Sequence, residues 1–356
     1  MRSMLSGALM LLIVSISSGV VLKRYQYFEF NRNWSDAQSL CRKYSGDLAT
    51  IYNQPDMNSL WLRWYIVWIN LHRDSNTGQK WVWTDGTVYN GYNWAPNEPD
   101  PSEDCAVISA MNNKYYGLSC EGYAFSFCEN YALDYYYFIP KSMTWSEAQQ
   151  HCQNNYGNLA KFNNNNMGGI FPYQHFPVWI GLHRDGGSWS WSSGVSKYNS
   201  WDPAEPSSNG DCVSIGSLTK NMATQNCGAH FPFICMWENL LLVKENKSWE
   251  EALEFCRALT STVNSNLRFD LLSVQPGDQQ QYVMAKIMEA NSDEVWTGLH
   301  FLAGEWLWVN GEDVLYRDLP VCPALQQHCG AISKSISDSL EARDCLERKN
   351  FLCYVF

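Results

Sequence analysis

CAVISAMNNKYYGLSCEGYAFSFC, residues 105–128, decides how this chain is read. It holds three cysteines in the spacing C-x14-C-x7-C. The same ending returns at Cys212, Cys227 and Cys235, and with one extra residue, C-x15-C-x7-C, at Cys329, Cys345 and Cys353. A fourth cysteine stands well upstream of each set, at Cys41, Cys152 and Cys256. Self-similarity at this level marks an internal repeat. In an oxidising compartment four cysteines per unit give two disulfides, and spacing alone leaves three connectivities open for each set. Zinc does not suit the pattern, because knuckle ligands sit two to four residues apart and none of these do.

Outward from the cysteines, more of each unit repeats. Asn33-Trp34-Ser35-Asp36-Ala37, Thr144-Trp145-Ser146-Glu147-Ala148 and Ser248-Trp249-Glu250-Glu251-Ala252 lead into the first cysteine of each set. Asn33, Thr144 and Ser248 are helix caps by type, and the acid three residues later completes a capping box in copies two and three. Tyr25 to Phe30 and Tyr135 to Ile139, just before, alternate or run apolar as strands do. Further along, Trp68-Ile69-Asn70-Leu71, Trp179-Ile180-Gly181-Leu182 and Trp296-Thr297-Gly298-Leu299 recur. Each is followed by a Trp-x-Trp triplet (Trp81 to Trp83, Trp189 to Trp191, Trp306 to Trp308) and then a turn glycine, Gly86, Gly194 or Gly311. Tryptophans present in every copy are read as packing residues. The copies join through Glu129 to Asp134 and Met236 to Asn239, with no Gly, Ser or Pro enrichment, so the units are expected to abut.

Chain-level features set the compartment and exclude several functions. Residues 1–19, with an apolar run from Ala8 to Val14 and small residues from Ser15 to Gly19, are read as a secretory signal peptide. No later stretch reads as a transmembrane anchor, so the product is expected to be secreted and extracellular. A net charge of −11 argues against nucleic acid and anionic membranes as partners. The 17 Trp and 20 Tyr exceed what surface recognition needs, so part of that aromatic content belongs to the core. His72-Arg73-Asp74 and His183-Arg184-Asp185 imitate a kinase catalytic loop but lack its asparagine and any glycine-rich phosphate loop. With no metalloprotease helix or nucleophile elbow either, the chain is read as non-enzymatic.

The combined pattern, Cys…Trp-Ile-Gly-Leu…Trp-x-Trp…Glu-Pro…Cys-x14-Cys-x7-Cys, resembles the C-type lectin-like domain, and the tandem array is similar to the macrophage mannose receptor group. The resemblance spans residues 24–355 and implies three α+β domains, 24–129, 131–236 and 237–355. Each would have two helices, small antiparallel sheets and a long ligand loop. It implies pairing of first with fourth and second with third cysteine: Cys41 with Cys128, Cys105 with Cys120, Cys152 with Cys235, Cys212 with Cys227, Cys256 with Cys353, and Cys329 with Cys345. Bridges crossing between repeats would contradict that scheme. It further implies a glycan or extracellular protein ligand, and Pro99 and Pro206 in cis.

Sugar-binding members hold calcium through a Glu-Pro-Asn or Gln-Pro-Asp element, a Glu near the second cysteine, and an Asn-Asp pair before the third. Calcium requires six to eight oxygens, so each lobe of the cage matters. Copy one has Glu98-Pro99-Asp100 and Glu103, three carboxylates, but Tyr116 and Gly117 at the Asn-Asp positions. Copy two has Glu205-Pro206-Ser207, then Gly210, with Ala223 and Thr224. Copy three has Cys322-Pro323-Ala324, then Gln327, with Glu341 and Ala342. Calcium is therefore expected in domain 1 alone, if anywhere, with Glu98, Asp100 and Glu103 as its ligands; the competing reading is a solvated acidic loop. Tyr115 and Tyr116 beside that loop are read either as ligand-stacking rings or as core. Glu205 is the one carboxylate left for ligand contact in copy two. Cys322 is left over once three sets of four are paired, and is either a partly buried free thiol or the link of a disulfide dimer. Asn246-Lys247-Ser248 and Asn33-Trp34-Ser35 are glycosylation sequons, Asn33 doubling as the helix cap.

Overall fold

A computed structural model describes residues 23–355 apart from 45, 76–77, 131–134, 163–170, 172, 261–266, 278–279 and 336–338. The signal-peptide reading of residues 1–19 lies outside the described residues. The chain builds three seven-stranded sheets of one design, an α+β unit repeated in tandem. In each body a strand buried along its middle (Ile66–Asp74, Pro177–Asp185 or Glu294–Leu302) carries the Trp-x-x-Leu motif. It forms a hairpin with the Trp-x-Trp strand, pairing Leu71 with Trp83, Leu182 with Trp191 and Leu299 with Trp308. The glycines after these hairpins adopt the left-handed conformation the turn demands, φ 84° at Gly86, 70° at Gly194 and 81° at Gly311. The same buried strand also pairs, in parallel, with the last strand of its body (Ala124–Asn130, Phe231–Glu238 or Lys349–Val355).

The three leader units fold as their caps predict. Helices Trp34–Lys43, Trp145–Asn155 and Trp249–Ala258 start at Asn33, Thr144 and Ser248, with full capping boxes in the second and third. Alanine and cysteine on one stripe, Ala37 and Cys41, Ala148 and Cys152, Ala252 and Cys256, are completely buried, which fixes the face each helix turns inward.

Where the leaders go departs from the expectation of self-contained, abutting units. The leader strand of copy three, Leu240–Lys247, lies antiparallel to the last strand of its own body. The leader strand of copy one, Lys23–Arg32, instead pairs with Phe231–Glu238 of copy two. The leader strand of copy two, Tyr135–Met143, pairs with Ala124–Asn130 of copy one. Copies one and two have exchanged leaders, strand and helix together. The bridges follow: Cys41 is joined to Cys235 and Cys128 to Cys152, in place of the expected Cys41–Cys128 and Cys152–Cys235. Cys105–Cys120, Cys212–Cys227, Cys256–Cys353 and Cys329–Cys345 close within their copies as expected.

Chain length explains the exchange. Four residues separate Asn130 from Tyr135, enough for an antiparallel hairpin, so the copy-two leader folds back on the strand it has just left and occupies the place the copy-one leader would take. Only Asn239 separates Glu238 from Leu240, and one residue cannot reverse a strand into a hairpin. The copy-three leader must therefore continue to its own body. The edge beside Phe231–Glu238 stays open and receives the displaced copy-one leader.

Reciprocal tryptophan hydrogen bonds lock leader to body identically in all three. The helix tryptophan donates its indole N–H to the body motif: Trp249 to Thr297 O (2.8 Å), Trp145 to Ile69 O (3.0 Å) and Trp34 to Ile180 O (2.9 Å). The body tryptophan donates to the residue before the cap: Trp296 to Lys247 O (3.0 Å), Trp68 to Met143 O (2.8 Å) and Trp179 to Arg32 O (2.9 Å). In copies one and two every one of these bonds crosses between the repeats. The histidines of the kinase-like triplets serve the same joint, His72 against Trp145 and His183 against Trp34, as does His300 against Trp249. Copy three then docks on the intertwined pair: Tyr282 Oη donates to Glu238 (2.8 Å), Lys286 pairs with Glu238, and Tyr52 packs edge-on to Tyr282.

Two outcomes follow from this joint. Residues 239–356 alone should give a cooperative thermal melt by circular dichroism, and residues 23–130 alone should close on their own leader with Cys41 bridged to Cys128, because without the copy-two leader the place beside Ala124–Asn130 is free for it. Trp34→Phe in the whole chain removes one buried bond and strands the Ile180 carbonyl. It should lower the unfolding free energy by about 1–3 kcal/mol in denaturant titration.

Candidate functional site

The loop of copy one descends from Trp94, held where Ala95 N donates to Tyr115 O (2.9 Å), to Cys105. Its Glu98-Pro99 peptide bond is cis, as is Glu205-Pro206 in copy two. Glu98 Oε2 accepts from the backbone N–H of Gly117 (2.9 Å). Glu103 lies alongside; its Oε2 is buried and has no hydrogen-bond partner. Gly117 is what makes room for it, since a Cβ there would stand 2.3 Å from that oxygen. Asp100 is drawn the other way, its Oδ1 accepting from Ser102 N (2.9 Å) and Oγ (2.7 Å). Arg73 braces the loop from beneath, donating to the backbone oxygens of Asp100 (3.3 Å) and Glu103 (3.2 Å), with its guanidinium over the Trp81 ring.

The electrostatics separate these acids. Burial pushes the Glu98 carboxyl above its usual range, opposed by the Gly117 amide and reinforced by Asp100. Burial also raises Glu103, and the charge of Glu98 raises it further. The Ser102 hydrogen bonds hold Asp100 low. The structure thus brings Glu98 and Glu103 together as a close carboxylate pair and commits Asp100 to its own turn.

The two tyrosines part company. Tyr115 is core: it is 1% exposed and its hydroxyl donates to Phe162 O (2.9 Å) of the exchanged leader segment, so it is no ligand-stacking residue. Tyr116 is half-buried, its hydroxyl accepting from Asn112 (2.7 Å).

In copy two one oxygen of the equivalent carboxylate is taken up by the protein. Glu205 Oε2 accepts from Ser207 N (2.7 Å), Thr224 N (3.0 Å) and Thr224 Oγ1 (2.5 Å). Burial raises its pKa, but the bonds from Thr224 and Ser207 outweigh burial and hold it below its usual range. Gly210 sits where copy one has Glu103, and a Cβ there would meet the Gln225 carbonyl oxygen at 2.0 Å. The neighbouring strand fills the space of the second acid.

Copy three offers another surface. Cys322 is exposed and unbridged rather than partly buried. Leu315, Val321 and Leu325, within seven residues of it in the sequence, are 62, 85 and 94% exposed. Glu341 is paired with Arg343, which also grips Glu294 (2.6 Å). Among the described residues the one His/Cys/acid cluster compact enough for a metal is His300 with Cys329 and Cys345, and those two sulfurs are already joined to each other. The commitment of Tyr115 depends on Phe162, a partner that no spacing from the cysteines points to, whereas Thr224 stands at the second-lobe position counted for copy two.

Set beside known proteins, the chain matches the Lectin C-type domain over residues 30–130, 141–237 and 245–355. It is 21% identical to the C-type mannose receptor 2 of Rattus norvegicus over 81% of this chain and 24% of the receptor. It is 25% identical to the secretory phospholipase A2 receptor of Bos taurus over 65% of this chain and 19% of that receptor. The chain thus spans a quarter or less of these receptors' length. Lithostathine-1-beta of Homo sapiens is 35% identical over 29% of this chain and 72% of its own. The solved structure of human lithostathine aligns with 33% of this chain and 88% of its own, at 21% identity and a TM-score of 0.27. With three segments matched in sequence and one cysteine frame in each, the chain belongs to the C-type lectin domain family as a tandem array of three.

Proposed function

We propose that this is a secreted, non-catalytic recognition protein whose calcium cage has been lost to different depths in its three copies. The observation that carries the reading is the fate of one oxygen. In copy two Glu205 Oε2 takes three protein donors, the hydrogen bonds a cation would replace, and Gly210 leaves no space for a second acid. In copy one the corresponding pair keeps an orphaned, buried Glu103 oxygen. Glu98 and Glu103 are the residues that would hold calcium, which would supply the positive charge two adjacent carboxylates lack. Two carboxylates give at most four of the six to eight oxygens calcium takes, and the other lobe adds none, because Gly117 offers no side chain and the Tyr116 hydroxyl serves Asn112. Affinity is correspondingly weak, and the ligand, a glycan or an extracellular protein, is bound without help from metal in copies two and three.

A protein partner is favoured at copy three by its exposed Leu315, Val321 and Leu325, an apolar surface of the kind that marks protein contacts. The exposed Cys322 thiol among them is placed to link a second chain. No helix among the described residues is long and apolar enough to cross a membrane. Asn246 is the better glycan acceptor: it is exposed, whereas the Asn33 amide already donates to Asp36 Oδ2 (2.9 Å) as part of the cap.

Calorimetry on the whole chain should show at most one calcium site, of millimolar strength, lost in Glu103→Gln; micromolar affinity would contradict the reading. The acid pair also sets a pH dependence. A carboxyl raised by folding contributes stability below its unfolded pKa and loses it as pH rises through the folded value. In calcium-free buffer Glu103→Gln should therefore raise the melting temperature at pH 7 and leave it unchanged at pH 3. Electrophoresis without reductant should show a dimer that Cys322→Ser abolishes, and a monomer alone would remove Cys322 as a link.

A further inference from the structure

The exchange of leaders gives copies one and two an approximate two-fold relation, visible in contacts between equivalent residues. Tyr123 and His230, each third after its cysteine, stack face to face with ring centroids 3.6 Å apart and planes within 6°. Asn31 and Ser142, each two before its helix cap, share a hydrogen bond of 2.8 Å. On one side of this axis Glu29 of the copy-one leader reaches Ser109, whose hydroxyl donates to it (3.1 Å), and the seam is filled. The equivalent residues on the other side are Pro140 and Gly216. Neither can make that contact, and a cleft of about 910 Å³, lined by both, opens in its place.

We infer that this cleft is a binding site for a short, uncharged oligosaccharide, recognised without metal. Its volume lies in the range of sites that enclose small ligands. One wall is the leader helix of copy two, presenting Glu147, Gln150, His151 and Asn154 at three- and four-residue spacing, hence on one face. The facing wall offers His175, Asp202 and Gln225. Amides both donate and accept, as sugar hydroxyls do, and the carboxylates accept from them. Burial lowers the pKa of His230, keeping that ring neutral at physiological pH, and the stacked Tyr123–His230 pair gives the cleft an aromatic border. Lys141 is the one lysine or arginine in the lining, against Glu147 and Asp202, so no concentration of positive charge favours an anion. Peptide side chains are commonly received in open apolar pockets, and the two phenylalanines of the lining, Phe176 and Phe231, are only 1 and 6% exposed. Of the calcium-loop positions only Ala223 of copy two, which has no ligating side chain, reaches the lining, and no isolated domain of this family would contain the site, because its walls meet through the exchange.

The test uses the full chain with chelator present throughout, so it is independent of the calcium reading. Saturation-transfer NMR against neutral oligomers of glucose, mannose, galactose and N-acetylglucosamine should find at least one binder. Asn154→Trp, which puts an indole into the mouth, and the double variant Gln150→Ala/Asn154→Ala should each weaken binding tenfold or more. Gln153→Trp adds the same bulk on the exposed helix outside the lining and should change nothing. Absence of any binder, equal binding by all variants, or binding of uncharged peptides in place of sugars would overturn the assignment.

Discussion

Between Asn130 and Tyr135 the chain has four residues in which to turn back; between Glu238 and Leu240 it has one. That difference governs the architecture. A strand that can fold onto its predecessor forms the most local contact available to it, and loop closure favours the short connection. The copy-two leader takes that path, and the copy-one leader is left to find the only equivalent edge, in copy two. Every leader still meets the partners it is built for, since the tryptophan bonds, cap positions and cysteine contacts are those of copy three. Only the identity of the body changes.

Because each body of the pair is closed by the other's leader, the two are joined through two crossed strand pairings and two crossed disulfides. The exchange also changes the surfaces on offer. It buries Tyr115 against Phe162 next to the copy-one loop, and it creates a seam whose two sides differ by a glutamate and a serine on one and a proline and a glycine on the other. The three loops, free of a shared cage, have diverged: an acidic pair, a self-satisfied carboxylate, and an apolar surface with a thiol.

Much of this was legible in the residues. Asn33, Thr144 and Ser248 announced the helices, Gly86, Gly194 and Gly311 announced the hairpin turns, the cysteine spacing announced three repeats, and the family resemblance implied their α+β fold. The exchange was not, because repeat spacing is identical whether a leader closes its own body or its neighbour's, and the resemblance to single domains implied self-closure. The clue lay in the lengths of the two connections, which describe what a strand can physically do rather than what a repeat looks like. Glu98 and Glu103 were identifiable by counting from the cysteines. The burial of Tyr115 and the cleft depend on residues brought together only by packing, and no local pattern carries that information.

The exchange is the claim on which the intertwined pair and the cleft both rest. Protease digestion of the non-reduced protein, followed by mass spectrometry of the linked peptides, addresses it directly. The account predicts one linked pair carrying Cys41 and Cys235 and another carrying Cys128 and Cys152. Peptides joining Cys41 to Cys128 and Cys152 to Cys235 would show that each copy closes on itself, and would contradict it.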